Sequence, residues 1–512
     1  MSRRTTFFKG VIAMATALLV VFGLRSLLPL VSYPPARIAA LVLTVIPGDF
    51  STFMIERLGP FALRGFGIGV NLAVVAVGGL LAGWIYKADS DASKARRALT
   101  IGAVAFAGSM LLALGDVGGL SMAEAAIYLA AALVFAVVVL DTPLLAAVEP
   151  RRIEGDETPL DAISRSRRRF VTRGGSALGL LLAGGSVLRA VLKRSSQPKV
   201  QIVEAASRYV VPDGDDFPVI PGQSPEITPV EDFYNVDINI VKPVVDHLDW
   251  KLKISGLVES PYSLDYQSMQ NDFEVVEMVH TLTCISNTVG GDLIGTAVWR
   301  GVRLKDVLDR AKLKDGIVDI VFRGAEGYSD SVPLAEALQD DTLLVFGMNG
   351  EALNTEHGFP ARIIVPDIYG MKNVKWLTEI EAVATDYQGY WMVRGWSDEA
   401  QVKTQSRFDV PSNTATVERG ARLAGVAWAG DRGIRRVEIS TDRGKSWKPA
   451  VLKRELSSRT WRLWAAELES ATGQVRVMVR AIDGKGDVQT AQGAKPHPAG
   501  ATGYHVLDLT VE

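Results

Sequence analysis

The residues best suited to chemistry lie in two clusters in the second half of the chain. The first is the run HTLTCISN, from His280 to Asn287, which contains the only cysteine, Cys284. Three glycines follow it closely: Gly290, Gly291 and Gly295. A thiolate is a soft metal ligand, and glycines let the backbone approach a bulky group. A lone cysteine at a strand end is more often an inert buried thiol, so the run alone leaves both interpretations open.

The second cluster combines cationic side chains with a short apolar strand and a glycine turn. It reads HGFPARIIVP from His357 to Pro366, then YGMKNVKW from Tyr369 to Trp376. Arginine and lysine make charge-assisted hydrogen bonds to phosphate, and exposed backbone N–H groups strengthen such a site. The cluster matches neither GxxxxGK[ST] nor GxGxxG, the nucleotide-binding patterns. It predicts a phosphate site of another type, with a solvated basic turn as the alternative.

Composition excludes several classes of partner and cofactor. The 512 residues include 55 basic and 57 acidic side chains, for a net charge of −2, which argues against a nucleic-acid partner. A single cysteine excludes intramolecular disulfides, cysteine-built zinc or iron–sulfur sites and CxxCH haem attachment. No histidine lies in an apolar run, and no flavin motif is present. We therefore expect no haem, flavin or iron–sulfur cluster in this chain.

Two soluble modules are expected to position the clusters. Residues 195–229 are rich in Pro, Asp and Gly and predict a linker that wraps onto the next domain. Residues 230–400 mix strand-like runs with an amphipathic helix at 304–311, which predicts an α+β domain. Residues 401–512 alternate short strands with Gly and Asp turns, which is typical of an immunoglobulin-like sandwich.

The first 194 residues are predicted to form an α-helical membrane region with about five transmembrane helices. The apolar runs that predict them are residues 10–31, 65–86, 98–114, 123–140 and the shorter 177–192. Lys and Arg in the connections put the N-terminus in the cytoplasm and the later domains outside a multi-pass cell-membrane protein. Residues 166–171, SRRRFV, resemble a twin-arginine export motif, with an ordinary cytoplasmic basic cluster as the alternative.

Taken together and in order, the two clusters and their flanking motifs resemble the sulfite oxidase family of mononuclear molybdenum enzymes. The similarity covers roughly residues 225–512. The motifs that carry it are DFYN at 232–235, WKLKISG at 250–256, WRGVRL at 299–304, HGFPARIIVP, NVKW, and GVAW at 425–428. The resemblance implies a sulfite-oxidase-type molybdopterin fold followed by a dimerisation-type sandwich, and therefore a possible homodimer.

The resemblance also implies a role for individual residues. Cys284 would be the catalytic molybdenum ligand, and the backbone up to Asn287 would line the site. Tyr234 and Asn235 would touch the pterin. The remaining cofactor-binding residues would hold the phosphate or wrap the tail of the molybdopterin: His357, Arg362, Asn373, Val374 and Lys375.

The chain departs from the sulfite-oxidising pattern at three places. Those members carry Arg-Asn-His where this chain has Val-Asp-Ile at 236–238, and an arginine after the ligand cysteine where it has Asn-Thr-Val at 287–289. Trp396 stands where they have a catalytic tyrosine. An anion such as sulfite needs positive charge beside the metal, and the arginines left as replacements are Arg323, Arg394 and Arg407.

We therefore expect a membrane-anchored, extracytoplasmic molybdenum oxidoreductase that transfers an oxygen atom and two electrons to or from a small S- or N-oxo compound. Sulfite dehydrogenase is the alternative reaction. A catalytically inactive, membrane-tethered binding protein is the alternative of another class, and a transporter is disfavoured by the few spans. The expected partners are the substrate, the bilayer and a separate cytochrome or quinone-linked electron carrier.

Overall fold

The computed structural model describes residues 3–27, 61–85, 200–211, 217–239, 242–469 and 472–512, with short pieces between residues 34 and 135. The chain divides into two compact units. One comprises Met1–Ile46, Phe53–Pro198 and Asn239–Val244. The other comprises Pro47–Thr52, Lys199–Ile238 and Val245–Glu512, and it contains both predicted chemical clusters.

Two helices make up most of the described part of the first unit, α1 (Arg3–Leu27) and α2 (Phe61–Ile85). They approach closely at Gly10, which has no side chain. A Cβ at this position would lie 2.2 Å from the carbonyl oxygen of Gly78. Among the described residues, one stretch, Gly65–Ile85, is long and apolar enough to cross a bilayer. The runs at 98–114 and 123–140 lie largely outside the described residues, and residues 166–171 and 177–192 lie wholly outside them.

The described residues in the first part of the second unit contain two β-sheets and three short α-helices. The elements in chain order are β1 (Leu252–Gly256), β2 (Tyr262–Leu264), α3 (Tyr266–Asn271), β3 (Val275–Thr283), β4 (Ile294–Arg303), α4 (Leu304–Ala311), β5 (Asp319–Gly324), β6 (Ser329–Pro333), α5 (Leu334–Ala337), β7 (Leu343–Met348), β8 (Glu351–Ala352), β9 (Arg362–Ile364) and β10 (Leu377–Val383). One sheet has the order β2-β1-β10-β5-β6, and the other has β3-β4-β7-β8 with β9 paired to β7. The α+β prediction is confirmed.

The antiparallel pair β3–β4 carries the cysteine. Its register runs from Val275 opposite Val302 to Thr283 opposite Ile294. Cys284 follows at once, and its N–H donates to the carbonyl of Leu293 at 2.9 Å. Nearly every side chain on β3 from Val279 onward is buried, so the strand holds the cysteine backbone in a rigid frame.

The C-terminal part is all β. Its strands are β11 (Gln405–Val410), β12 (Thr416–Val417), β13 (Arg422–Trp428), β14 (Ile434–Ser440), β15 (Lys448–Pro449), β16 (Val451–Leu452), β17 (Arg462–Glu467), β18 (Gly473–Asp483) and β19 (His505–Val511). They form two sheets, β11-β13-β17-β16 and β12-β19-β18-β14-β15. The β-rich C-terminal domain is confirmed, while the immunoglobulin-like topology stays a prediction.

The two parts of the second unit share a hydrophobic core. Trp428, Trp461 and Leu463 pack with residues of the α+β part, and the N–H of Trp461 donates to the Thr281 hydroxyl at 2.8 Å. The described part of the predicted linker also joins this unit, because Ala206 donates to the carbonyl of Val275 and Thr228 to that of Thr296, each at 2.8 Å. The boundaries at residues 229 and 400 stay predictions.

Candidate active site

Cys284 lies at the end of β3, with 8% of its surface exposed. Its Sγ is 2.9 Å from the Ser286 hydroxyl. Burial raises the pKa of the thiol, while the bond from Ser286 and the charge of Lys375 oppose that rise. A nucleophilic cysteine needs a lowered pKa, so this environment does not suit covalent catalysis by the thiol. It suits a thiolate held by a metal, since metal binding itself deprotonates the thiol.

The loop after Cys284 is fixed by its own side chains. The Asn287 amide oxygen accepts from the N–H of Leu293 at 3.1 Å, and the amide nitrogen is 3.5 Å from the Thr283 hydroxyl. The Asn287 side chain therefore braces the loop, and its predicted contact with a cofactor stays a prediction.

The three glycines near Cys284 have another role than the one expected. A Cβ on Gly290, whose φ is +76°, would lie 2.5 Å from Nε2 of His505. On Gly291 it would lie 2.4 Å from the Asn287 amide oxygen, and on Gly295 2.9 Å from the Phe233 ring. These glycines therefore admit neighbouring side chains of the protein. Gly295 matters for the site because it lets Phe233 pack against β4.

Phe233 in turn positions Tyr234. The two rings stack with centroids 5.3 Å apart, and Phe233 meets the His357 ring edge-on at 5.6 Å. A Cβ on Gly370 would lie 2.5 Å from the Tyr234 hydroxyl, so a glycine is required there. Burial and the nearby Cys284 raise the pKa of Tyr234, whereas Arg362 lowers it. Tyr234 therefore lies within electrostatic reach of both predicted halves of the site.

Arg362, on β9, is buried without an anionic partner. Its Nη atoms donate to the carbonyls of His357 at 3.2 Å and Asn373 at 3.3 Å, and its Nε–H has no hydrogen-bond partner. The guanidinium lies 5.2 Å from the centre of the Trp299 ring. Burial lowers its pKa to about 10. No carboxylate in the described part of the chain pairs with this cation.

His357 stands beside Arg362 as a neutral ring. Its Nε2 donates to the carbonyl of Val230 at 2.9 Å, and burial lowers its pKa to about 4. Gly358 follows His357 with a φ of +106°. The chain lies against Lys375 at this glycine, because a Cβ on Gly358 would be 2.9 Å from the Cβ of Lys375.

Lys375 gathers the N-terminal part of the predicted site. Its Nζ donates to Asn235 Oδ1 at 3.1 Å and to the Glu356 carbonyl at 3.2 Å, and it lies 3.3 Å from Asp237. The Asn235 amide also donates to the Glu356 carbonyl, at 3.1 Å. These contacts bring Asn235 and Lys375 together, although the two residues are 140 positions apart, and their binding of a cofactor stays a prediction.

Asn373 and Val374 form the turn that directly precedes Lys375. The Asn373 amide oxygen accepts from the N–H of Val365 at 2.7 Å, and the Val374 carbonyl accepts from Ile363 at 3.0 Å. Lys372 does not belong to this cationic set, because its ammonium is 3.2 Å from Asp330 and 2.9 Å from Asp398.

These residues fit a phosphorylated, metal-binding organic cofactor. The orphaned N–H of the buried Arg362 requires an acceptor, and a phosphate would supply both the acceptor and the missing negative charge. No group of three or more His, Cys, Asp or Glu in the described residues could hold a metal by itself. Cys284 would therefore share a metal with ligands from the cofactor, as in a metal–dithiolene centre.

The three arginines considered as substitutes are committed to the protein. Arg323 pairs with Glu381 at 2.6 Å, and Arg394 donates to the Tyr390 carbonyl at 2.6 Å. Arg407 pairs with Asp409 at 2.8 Å and donates to the Gly291 carbonyl at 2.5 Å. Of the three, only Arg407 contacts the loop after Cys284.

Two tyrosines near Cys284 were missed in the sequence. The thiol contributes to a raised pKa at both Tyr328 and Tyr369, with burial as the largest cause in each. Tyr369 opens the run YGMKNVKW, but nothing in that run indicates that it lies near the thiol, and Tyr328 lies outside both clusters. Asp330, two positions after Tyr328, is fully buried within β6.

Comparison with known proteins agrees with this geometry. The model of the "Oxidoreductase molybdopterin binding domain" matches residues 239–391, and that of the "Mo-co oxidoreductase dimerisation domain" matches residues 398–495. The sulfite oxidase of Arabidopsis thaliana is 29% identical over 332 residues, covering 51% of this chain and 82% of that protein. The chain belongs to the sulfite oxidase family of molybdopterin-dependent oxidoreductases. The predicted family and enzyme class are thus confirmed.

Other members of the sulfite oxidase family match over a smaller share of their length. The mitochondrial sulfite oxidase of Drosophila melanogaster is 30% identical, over 51% of this chain and 55% of that protein. The NADH nitrate reductase 1 of Oryza sativa subsp. japonica is 28% identical, over 47% of this chain and 33% of its own. The chain thus spans about half of the fly enzyme and a third of the rice enzyme.

A solved structure shares the fold. The sulfane dehydrogenase SoxCD from Paracoccus pantotrophus aligns with a TM-score of 0.50 and 19% identity, over 72% of this chain and 99% of that one. At this identity the likeness concerns the fold alone.

Proposed function

We propose that this chain is a membrane-anchored, extracytoplasmic molybdenum enzyme that transfers an oxygen atom and two electrons to or from a small, neutral S- or N-oxo compound. The observation that carries the proposal is the buried Cys284 thiol, set close to a cationic pocket whose Arg362 has no anionic partner among the described residues. A thiolate and a phosphate-type pocket together suit molybdopterin.

The residues of this chain would divide the work of holding the cofactor. Cys284 would ligate the metal, Arg362, His357 and Lys375 would hold the phosphate, and Tyr234 would contact the pterin. Bound molybdenum supplies the oxygen-atom and two-electron chemistry. The protein supplies a rigid thiolate at the end of β3, and it keeps water away by burial.

The contacts of the three candidate arginines support a neutral substrate over sulfite. Arg323 and Arg407 are already paired with carboxylates, and Arg394 donates to a backbone carbonyl and stacks on Tyr390 at 3.7 Å. An anionic substrate would need such charges to be available next to the metal. Sulfite dehydrogenase remains the second candidate reaction, because several relatives are named sulfite oxidases.

The Cys284→Ala variant tests the proposal, compared with wild type purified with its cofactor. Wild type is expected to contain molybdenum and pterin and to reduce or oxidise a sulfoxide or N-oxide with dye electron partners. Cys284→Ala should lose turnover by at least about a thousandfold, because the thiolate ligand is gone. Wild type without molybdenum would contradict the enzyme and favour an inactive binding protein, and activity on sulfite alone would favour sulfite dehydrogenase.

Membrane anchoring and location belong to the same proposal. Several large apolar side chains of α2 are exposed, including Ile68, Leu72 and Leu80, each more than 60% accessible, as expected of a helix facing lipid. A reporter that is active only outside the cytoplasm, fused after residue 195 of the chain, should be active. Activity of a cytoplasm-only reporter at the same position would contradict the topology.

Partners follow from the family and the site. The match to a dimerisation domain supports a homodimer. Because we expect no haem, flavin or iron–sulfur cluster in this chain, electrons would pass to or from a separate cytochrome or quinone-linked carrier.

A further inference from the structure

A line of hydrogen-bonded side chains runs to the protein surface from Tyr328, a residue that interacts electrostatically with Cys284. The Tyr328 hydroxyl lies 3.1 Å from Asp330 Oδ2. The other oxygen of Asp330 is 3.2 Å from Nζ of Lys372, and that ammonium is 2.9 Å from Asp398. Tyr328, Asp330 and Lys372 are buried, whereas the side chain of Asp398 is 43% exposed. The line therefore connects the interior with solvent.

The hydrogen bonds at Asp330 are satisfied in two protonation states. When the carboxyl is ionised, it accepts from Tyr328, from Lys372 and from the N–H of Ser331 at 2.8 Å. When Oδ2 is protonated, it donates to the Tyr328 oxygen, and Tyr328 donates to the Met371 carbonyl, which is only 2.7 Å away. A group that passes protons needs a complete set of partners both before and after the transfer.

Lys372 links the carboxyl of Asp330 to that of Asp398. Its three N–H bonds are directed to Asp330, to Asp398 and to the Ser331 carbonyl at 2.9 Å. Burying such a pair stabilises a fold little, because the desolvation of two charges offsets their attraction. Packing therefore gives no strong reason for these charges to lie here.

The electrostatic surroundings of Asp330 come from several elements. The groups around it are Tyr328 on its own strand, Asp319 on β5 through Ser331, Lys372 in the 370–372 turn, Asp398 beyond Lys372, and Glu326 and Cys284 beyond Tyr328. Burial raises the pKa of Asp330 to about 6, against the opposing effect of Lys372. Both protonation states are therefore accessible near neutral pH.

We propose that Tyr328, Asp330, Lys372 and Asp398 form the path by which protons reach and leave the oxygen-transfer site. The inference rests on the proposed function. Reduction of an oxo compound, R–O + 2 H⁺ + 2 e⁻ → R + H₂O, breaks the R–O bond and consumes two protons. The electrons come from a reduced cytochrome or a quinol. In the reverse direction, R + H₂O → R–O + 2 H⁺ + 2 e⁻, an oxidised cytochrome or a quinone accepts the two electrons, and the two protons leave along the same line.

The first test needs no turnover. The full-length chain is purified, and its infrared spectrum is recorded against Asp330→Asn as pH is raised. A C=O band of a protonated carboxylic acid, present in wild type and missing in the variant, should disappear as pH rises through about 6. Absence of that band at every pH between about 5 and 8 would overturn the path, whatever the enzyme does.

The second test measures turnover of the molybdenum-loaded enzyme. Asp330→Asn should lower kcat by about a hundredfold and Asp398→Asn by about tenfold, with little change in KM, because both variants interrupt proton transfer. The solvent deuterium isotope effect should grow in Asp398→Asn, and small weak acids in the buffer should restore its rate. Asp340→Asn removes an exposed lysine partner elsewhere, at Lys305, and is the matched control that should leave kcat unchanged.

The outcomes separate the path from the proposed function. If wild type is active and both Asp330→Asn and Asp398→Asn keep the kcat and the solvent isotope effect of wild type, the path is overturned. The proposed function then still stands. A molybdenum-loaded wild type without activity on any oxo compound overturns the function, and the infrared titration then decides whether Asp330 exchanges a proton as required.

Discussion

The buried charge of Arg362 indicates that this site binds an anion. Its guanidinium is buried against Trp299 and donates to carbonyl oxygens, without a carboxylate in the described residues to balance it. Burying a charge without a counter-ion costs several kcal/mol, so a protein keeps such a group when a ligand completes it. The cationic pocket is thus stable in full only with an anion bound.

We expect Arg362→Gln to have opposite effects on the cofactor and on the empty protein. The variant should bind molybdopterin at least about tenfold more weakly, because a phosphate contact is lost. The same change should raise the free energy of unfolding of the cofactor-free protein by up to about 3 kcal/mol. This is the free energy that corresponds to the lowering of the Arg362 pKa from 12.5 to about 10. Cofactor content and denaturant unfolding measure the two effects.

Arg300→Gln is the matched control for this experiment. Arg300 is equally buried but pairs with Glu277 at 2.5 Å, so its loss leaves a buried carboxylate alone. That variant should unfold more easily by about 3–5 kcal/mol. If Arg362→Gln destabilised the cofactor-free chain as Arg300→Gln does, the idea of an uncompensated charge would be wrong.

At the scale of single residues, the sequence shows which cations lie in one segment but not how each of them is paired. Arg362 donates to the carbonyl of His357 and Lys375 to that of the adjacent Glu356, and their binding of a phosphate stays a prediction. Lys372 belongs to the same segment but pairs with Asp330, which comes from a strand 42 positions earlier. Spacing alone does not give this pairing, because it depends on how β6 is folded against the 370–372 turn.

At the scale of helices and strands, the structure shows which patterns in the sequence predicted an element correctly. The amphipathic spacing at 304–311 predicts α4, and its buried residues are Leu304, Val307, Leu308 and Ala311. The polar run YSDS at 328–331 has the composition of a loop rather than that of a buried strand. In the structure this run enters β6, where pairing with β5 outweighs local polarity.

Short turns rather than strands set the direction of the functional side chains. The turn at Gly370–Lys372 directs Lys372 toward Asp330, and Asn373, immediately after it, accepts from Val365 on the other side. Gly370 itself is required because the Tyr234 hydroxyl occupies the space of a side chain. A sequence pattern with period 2 or 3.6 carries no information about such a single-turn element.

At the scale of the whole molecule, the two parts of the second unit are joined by a few C-terminal residues that enter the core of the α+β part, while the C-terminal part keeps a second core of its own. Trp461 donates from its backbone to Thr281 on β3, and its indole donates to the Glu226 carbonyl at 2.9 Å. The strand that ends in Cys284 is therefore braced by residues about 180 positions later in the chain. The strand patterns predicted each part, but contacts of such sequence separation leave no periodic signal.

Two buried histidines make the stability of the second unit depend on pH. His280 is 2% exposed and neither ring nitrogen has a hydrogen-bond partner, and burial lowers its pKa to about 3. His357 has its pKa lowered to about 4. In the unfolded chain both rings take up a proton near pH 6.5, so the unfolded state binds more protons below that pH. Their contribution to stability is complete above pH 6.5 and is lost as pH falls.

Two carboxyls act in the opposite direction, so the wild-type profile alone is not diagnostic. Burial raises the pKa of Glu326 to about 8 and that of Asp330 to about 6. Their contributions are complete at low pH and are lost as pH rises through those values. The histidine effect is therefore measured as the difference between wild type and a variant that cannot titrate.

We expect the stability difference between wild type and His280→Gln to fall by about 2 kcal/mol between pH 6.5 and about pH 4.5, and to continue falling toward pH 3. For His357→Gln the same difference should level off near pH 4, where the native ring itself takes up a proton. Tryptophan fluorescence in denaturant measures both, because nine of the ten tryptophans lie between residues 250 and 464. Differences that stay constant across this range would show that the two rings are solvated in the native protein, and β3 would then not be the closed frame on which the thiolate of Cys284 depends.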